Sequence, residues 1–186
     1  MIRPLLISFG ALTLLTGLAY PVAMTGASKL LFPKQAAGSL VIVGGQVRGS
    51  SLVGQATEDP RYFWSRPSAT GTFQCNPEAT GGSYLAPSNP ALAEAVAKRI
   101  QALKASDPTQ EAPIPQDLIT ASGSGLDPDI SADAARWQVP RIAKARGIPP
   151  ETVSNLVDGH VKRSLTGGST VRVLELNVEL DRLGGR

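Results

Sequence analysis

The sequence predicts an α+β protein: one N-terminal transmembrane helix followed by a single soluble α+β domain. Three observations carry this. Residues 4–28 contain no charged side chain, close to the length an α-helix needs to cross a bilayer. Beyond them, helical spacings of apolar residues alternate with short β-type runs. The segment between these patterns is rich in turn-forming residues, without a second long apolar stretch. The boundaries expected from the text are residues 1–30 for the anchor and 31–186 for the soluble domain. A domain of that size can bury roughly 70% of its unfolded surface, so it needs no disulfide or metal staple.

The apolar stretch also invites a secretory signal reading, since Arg3 supplies a basic start. Its length exceeds the usual signal centre and Thr25 with Ala27 makes a poor cleavage site, so an uncleaved anchor is expected. Gly10, Ala11, Gly17 and Ala19 give small faces on which another helix can pack; contact with lipid alone is the plainer reading. The positive-inside rule gives a tie, with Arg3 and the α-amine on one side against Lys29 and Lys34 on the other. An extracytoplasmic domain with a cytoplasmic N-terminus is allowed by charge, not dictated by it.

Ser39 to Val43 is a β-branched run, Gly44-Gly45 is a turn signal, and the chain resumes alternation from Gln46 to Val53, which predicts a hairpin. From Asp59 to Pro90 the sequence is dense in Pro, Gly, Ser and Asn around Tyr62, Phe63 and Trp64, an ordered loop region pinned by aromatics. Ser88 or Asn89 can cap a helix in which Leu92, Val96, Ile100 and Leu103 recur at helical spacing, with Asp107-Pro108 closing it. A second helix is expected from a Ser131 cap to Gly147, kinked or interrupted at Pro140. Val153, Leu156 and Val157 mark a shorter one that Gly159 can stop. Leu174, Leu176, Val178 and Leu180 alternate with polar residues, which predicts a half-buried last strand able to share a sheet with the N-terminal hairpin.

Composition limits function. Eighteen Lys and Arg against fifteen Asp and Glu give a net charge of +3, too mild and scattered to argue for nucleic acid. A single cysteine, Cys75, excludes an intrachain disulfide and a multi-cysteine metal site. With one histidine, His160, read as a surface or helix-end residue, neither a histidine triad nor a multi-histidine metal centre is expected. No catalytic residue and no metal ligand is assigned. The turn Ser122-Gly123-Ser124-Gly125-Leu126-Asp127 precedes a helix and could cradle an anion, but a tight turn feeding the Ser131 cap is the expected reading. Arg136, Arg141, Lys144 and Arg146 read as a solvated helix face, or as a basic face for an acidic partner. Arg61, Tyr62, Phe63, Trp64 and Arg66 look like a stacking platform, but behind an anchor core packing or a protein interface is the expectation.

Several ordered blocks add what spacing cannot. They are Gly49-Ser50-Ser51-Leu52-Val53-Gly54-Gln55, Tyr62-Phe63-Trp64-Ser65-Arg66-Pro67-Ser68-Ala69, and Gly81-Gly82-Ser83-Tyr84-Leu85-Ala86-Pro87-Ser88-Asn89-Pro90. A longer block runs from Thr120 through Asp127 and Ile130-Ser131 to Gln138-Val139-Pro140-Arg141-Ile142-Ala143-Lys144-Ala145-Arg146, and Val173-Leu174-Glu175-Leu176-Asn177 closes the set. In this order and over nearly the full length, the chain resembles the C subunit of the bacterial Kdp-type potassium-transporting P-type ATPase. Between His160 and Val171 it is a few residues shorter than the family pattern.

The resemblance implies a non-catalytic, single-pass accessory subunit of the bacterial inner membrane, in a complex that hydrolyses ATP to import potassium. Its partners would be a catalytic P-type ATPase subunit, a potassium-channel-like subunit and membrane lipid, with no nucleic acid. One family picture is a catalytic chaperone that raises the ATP affinity of the ATPase subunit; another places the soluble domain outside the cell, where cytoplasmic ATP cannot reach. The chain would hold no cofactor of its own, with ATP bound only through the complex. Candidate nucleotide-binding residues are Ser122, Gly123, Ser124, Gln138 and Arg141. The alternative from another class is an independent membrane-anchored envelope enzyme or ligand-binding module.

Overall fold

In the computed structural model, which describes residues 2–163 and 168–184, the chain divides into two compact units that meet between Leu40 and Val41. The first unit is dominated by a continuous helix, Ile2–Leu31, with none of its apolar window buried inside the chain. Its 30 residues span about 45 Å at the α-helical rise, enough to cross a hydrocarbon core of about 30 Å. The helix comprises α1 (Ile2–Leu14), a π-turn (Leu15–Ala19) and α2 (Tyr20–Leu31). The π-turn sits where Pro21, lacking an N–H, would crowd the carbonyl of Gly17, and the wider turn relieves that contact. Thr16 Oγ1 donates back to the Leu12 carbonyl at 2.8 Å, keeping its hydroxyl satisfied within the helix. A short turn of helix, α3 (Pro33–Ala36), follows.

The expected hairpin forms from β1 (Leu40–Val43) and β2 (Gln46–Ser50). Gly44 and Gly45 both hold positive φ, 58° and 78°, the conformation a two-residue hairpin turn requires and side-chain-bearing residues resist. Residues 51–89 contain no helix or strand, and α4 (Pro90–Ser106) then begins at Asn89, whose side chain accepts the Ala91 N–H at 3.0 Å. The one-turn helix α5 (Gln116–Ile119) buries Leu118. Its Asp117 accepts the backbone N–H of Ser131 at 2.6 Å and the Ser131 hydroxyl at 3.2 Å. That fixes the end of β3 (Asp129–Ser131) and the Ser131 cap on α6 (Ala132–Arg146), where Ser131 Oγ accepts the Ala134 N–H.

Around α6 stand α7 (Pro150–His160), β4 (Lys162–Arg163), β5 (Ser169–Arg172) and α8 (Val173–Arg182). The sheet order is β3-β5-β4, both pairs antiparallel, with Ile130 opposite Val171. Ala134, Ala135 and Ile142 of α6, Val153 and Val157 of α7, and Leu176 and Leu180 of α8 are fully buried together with Phe63 from the irregular segment. Small alanines on α6 let its neighbours approach closely, while the β-branched and leucine side chains fill the space between.

Four expectations are corrected. Leu174 to Leu180 is not a strand: the alternation also satisfies a helical face, and Val173, Leu176 and Leu180, spaced three and four apart, are the residues that become fully buried. Leucine and glutamate also favour helix over strand. The last strand is therefore β5, and it pairs with β3 rather than with the N-terminal hairpin, which forms its own two-stranded sheet. Of the kink or interruption expected at Pro140, the interruption does not occur: α6 runs on to Arg146, and Pro140 lies on the exposed face, where the Arg136 carbonyl deprived of its donor can bond to water. Gly159 does not stop α7, which continues to His160, whose Nδ1 lies 2.9 Å from the Leu156 carbonyl at the helix end. Of the shortened stretch between His160 and Val171, residues 164–167 lie outside the described residues.

Candidate functional site

The segment 59–66 opens with a turn, in which the Tyr62 N–H donates to the Asp59 carbonyl at 3.2 Å, and continues over α6 and α8 with no partner strand among the described residues, so its other backbone polar groups must be satisfied by something else. Side chains do this. Gln138 Oε1 accepts the Trp64 N–H at 2.7 Å and Gln138 Nε2 donates to the Trp64 carbonyl at 3.2 Å. Asn177 does the same one residue earlier, its Oδ1 accepting the Phe63 N–H at 2.8 Å and its Nδ2 donating to the Phe63 carbonyl at 3.0 Å. Each primary amide thus offers one acceptor and one donor in the arrangement a neighbouring strand would present.

Two guanidiniums take the remaining carbonyls. Arg141 donates to Pro60 O at 2.6 Å, to Tyr62 O at 3.1 Å and to Gln138 Oε1 at 2.7 Å, with its Cζ 4.3 Å from the Trp64 ring centroid. Arg146 donates to Arg61 O at 2.7 Å, to Leu180 O at 3.0 Å and to Asp181 at 3.0 Å, and stacks 4.7 Å from the Tyr62 ring centroid. The Tyr62 hydroxyl also donates to Asp181, at 2.9 Å. Burial, followed by the Asp181 hydrogen bond, pushes the Tyr62 phenol above its usual range. Removal from water destabilises the Arg141 cation and pulls it down to about 10, so it stays charged at neutral pH. Arg141 Nε is buried with no hydrogen-bond partner among the described residues.

Of the five residues assigned to nucleotide, Gln138 at 0% and Arg141 at 2% exposure lie deepest inside the fold. Their donors and acceptors are turned onto residues 60–64. Nor do the four cations of α6 form one face. Arg136, on Asp133 and Asp158, and Lys144 are exposed, while the side chains of Arg141 and Arg146 are turned inward.

The other three sequence-assigned residues form a separate turn. Ser122 is buried, whereas Gly123 and Ser124 are exposed. Ser122 Oγ accepts the Gly125 N–H and Ser124 Oγ the Leu126 N–H, each at 3.1 Å, so these two amides are already engaged. The turn also supports the neighbouring loop: Gly81 N–H donates to Ser124 O at 2.9 Å and Ser122 N–H to Pro67 O at 3.0 Å. A Cβ added to Gly125, which holds φ 70°, would lie 2.7 Å from the Gly81 carbonyl, so close approach of backbones explains that glycine. Among the described residues, no three His, Cys, Asp or Glu side chains gather in a metal-holding group.

Asn177 is the participant that sequence reasoning missed. It stood in an alternating pattern as a presumed outward residue, and only the helical period of α8 turns it toward Phe63.

The fold and its clamp define an α+β domain carried behind one apolar helix long enough to span a membrane, with its most specific polar side chains spent on holding an internal segment. The chain belongs to the family described as KdpC, the c chain of K+-transporting ATPase, whose pattern matches residues 2–182. It is 56% identical over 184 residues to the potassium-transporting ATPase KdpC subunit of Variovorax paradoxus (strain S110), covering 97% of this chain and 95% of that one. The subunit of the same description from Polaromonas naphthalenivorans (strain CJ2) is 54% identical over 186 residues, covering 98% and 95%. That of Herpetosiphon aurantiacus is 50% identical over 184 residues, covering 97% and 95%.

Removing the Gln138 amide leaves the Trp64 N–H and carbonyl without partners, at about 1–3 kcal/mol for each buried group. Gln138→Ala is expected to destabilise the domain by about 2–4 kcal/mol in denaturant titrations of the full chain, whereas Lys144→Ala on the exposed face changes it by less than about 0.5. Equal, small effects of the two substitutions would contradict the clamp.

Proposed function

We propose that this chain is the single-pass accessory subunit of an ATP-driven potassium import complex, without catalytic residues of its own, that stabilises the complex and tunes its turnover. The observation that carries the reading is the family match over residues 2–182, which takes in the anchor and the soluble domain together. The partners proposed are the catalytic P-type ATPase subunit and the channel-like subunit of the same complex. The location proposed is the bacterial inner membrane, with the N-terminus in the cytoplasm and the domain of residues 31–186 outside.

The chain would act on ATP affinity without touching ATP. Gln138 and Arg141 are committed to the backbone of residues 60–64, and the Gly125 and Leu126 amides are committed to serine hydroxyls. A catalytic-chaperone effect would then be a coupling free energy passed through the assembled complex, favouring the arrangement of the ATPase subunit that binds nucleotide more tightly.

Deleting the chain is expected to abolish either recovery of the intact complex or its potassium-stimulated ATP hydrolysis. Normal assembly together with normal potassium-stimulated turnover in its absence would refute the accessory role.

Orientation needs its own test, because native Cys75 is a poor probe. It is 7% exposed, and burial raises its thiol pKa. A Cys75→Ser, Ala97→Cys chain places the thiol on the exposed side of α4. Reaction with a membrane-impermeant maleimide while the inner membrane is intact is expected; reaction only after that membrane is opened would place the domain inside.

A further inference from the structure

A cleft of about 390 Å³ opens between the end of the clamped segment and α4. Its apolar lining comes from Trp64, Leu103 and Leu118, and its charged lining from Glu58, Arg66 and Arg99. The two arginines are not equivalent. Arg66 donates from Nη1 to Asp127 at 3.1 Å, while its buried Nε has no hydrogen-bond partner among the described residues. Arg99 donates from Nη1 to the Ile119 carbonyl at 2.8 Å and, among the described residues, makes no ion pair. Its surroundings are dry enough that burial lowers its pKa. A partly desolvated guanidinium whose one hydrogen bond among the described residues is to a neutral carbonyl lacks the anion that such groups ordinarily recruit.

We propose that this cleft binds a carboxylate carried on a short apolar stem, held by Arg99 with help from Arg66, the stem lying against Trp64, Leu103 and Leu118. Local pairing, not net charge, selects the class. Asp127 already engages Arg66, which leaves Arg99 as the lining cation with no ion pair among the described residues, while Glu58 on the same lining brings the net charge of the four groups to zero and so favours at most a single negative charge in the ligand. Glu58 on the same lining would repel a phosphate dianion more strongly than a carboxylate. The apolar lining suits hydrocarbon and gives little to a bare inorganic ion. The carboxylate can come from an acidic side chain or chain terminus of a partner subunit, or from a free small carboxylate. The first source rests on the reading of this chain as a subunit of a complex; the second does not.

The test uses the full chain in detergent with butyrate as probe, and butyramide, uncharged and of similar shape, as control. Butyrate is expected to raise the melting temperature of the wild type and to bind Arg99→Gln at least about tenfold more weakly, as expected on losing a charge-assisted hydrogen bond. In parallel, the Arg99→Gln chain is expressed with its complex. If it leaves the complex while its own melting temperature is kept, the carboxylate belongs to a partner; if it stays while butyrate binding is lost, the ligand is a free carboxylate. Should Arg99→Gln fail to fold, Arg99→Lys keeps the charge but not the forked geometry, and an intermediate weakening is expected. Butyrate acting no differently from butyramide, together with wild-type assembly of the variant, would overturn the proposal. That result leaves the accessory reading standing, since deletion of the whole chain tests it separately.

Discussion

A stretch of chain laid over helices has no neighbouring strand to satisfy its peptide groups, and between Pro60 and Trp64 this protein solves that problem mainly with side chains, the Tyr62 N–H turning back to the Asp59 carbonyl. Gln138 and Asn177 stand in for the peptide groups of an absent strand at Trp64 and Phe63. Arg141 and Arg146 take the carbonyls of Pro60, Arg61 and Tyr62. With those groups satisfied, Phe63 can sit fully buried in the core among α6, α7 and α8. Leaving them bare would cost about 1–3 kcal/mol for each buried group, a large share of the usual 5–15 kcal/mol stability of a domain.

The same constraint changes what the most specific residues mean. A glutamine and an arginine three positions apart on a helix, following a glycine-rich turn, look like anion-binding parts when only spacing is visible. In the folded chain Gln138 and Arg141 bind one another and the 60–64 backbone. The glycine-rich turn meanwhile closes its amides onto Ser122 and Ser124 and supports the loop at Gly81. Arg99 is the contrast. It lies partly out of water with one neutral hydrogen-bond acceptor among the described residues, while Arg141 and Arg146 are each engaged several times over.

Much of the fold was legible because its signals are local. The apolar run, the Gly44-Gly45 turn, the Asn89 and Ser131 caps and the left-handed Gly147 end of α6 follow from backbone requirements of the residues themselves. The last element was misread because Leu174 to Leu180 fits both a period of two and a helical face, and only packing against α7 decides between them. That error hid Asn177. The site was legible as a set of unusual residues rather than as an arrangement: Gln138 and Arg141 meet residues more than seventy positions away, and no local pattern announces so distant a contact. Side chains that serve structure and side chains that serve ligands use the same chemistry, so residue type alone could not separate the two.

Native-state hydrogen exchange at the amides of Phe63 and Trp64 reads the clamp most directly, because each has a side-chain oxygen as its acceptor. If the clamp is integral to the core, both amides exchange as slowly as those of Val153 and Val157 in α7, and only through global unfolding. Exchange as fast as that of an exposed loop amide such as Tyr84, while α7 stays protected, would mean that the segment opens on its own and that Gln138 and Arg141 are available to bind something else.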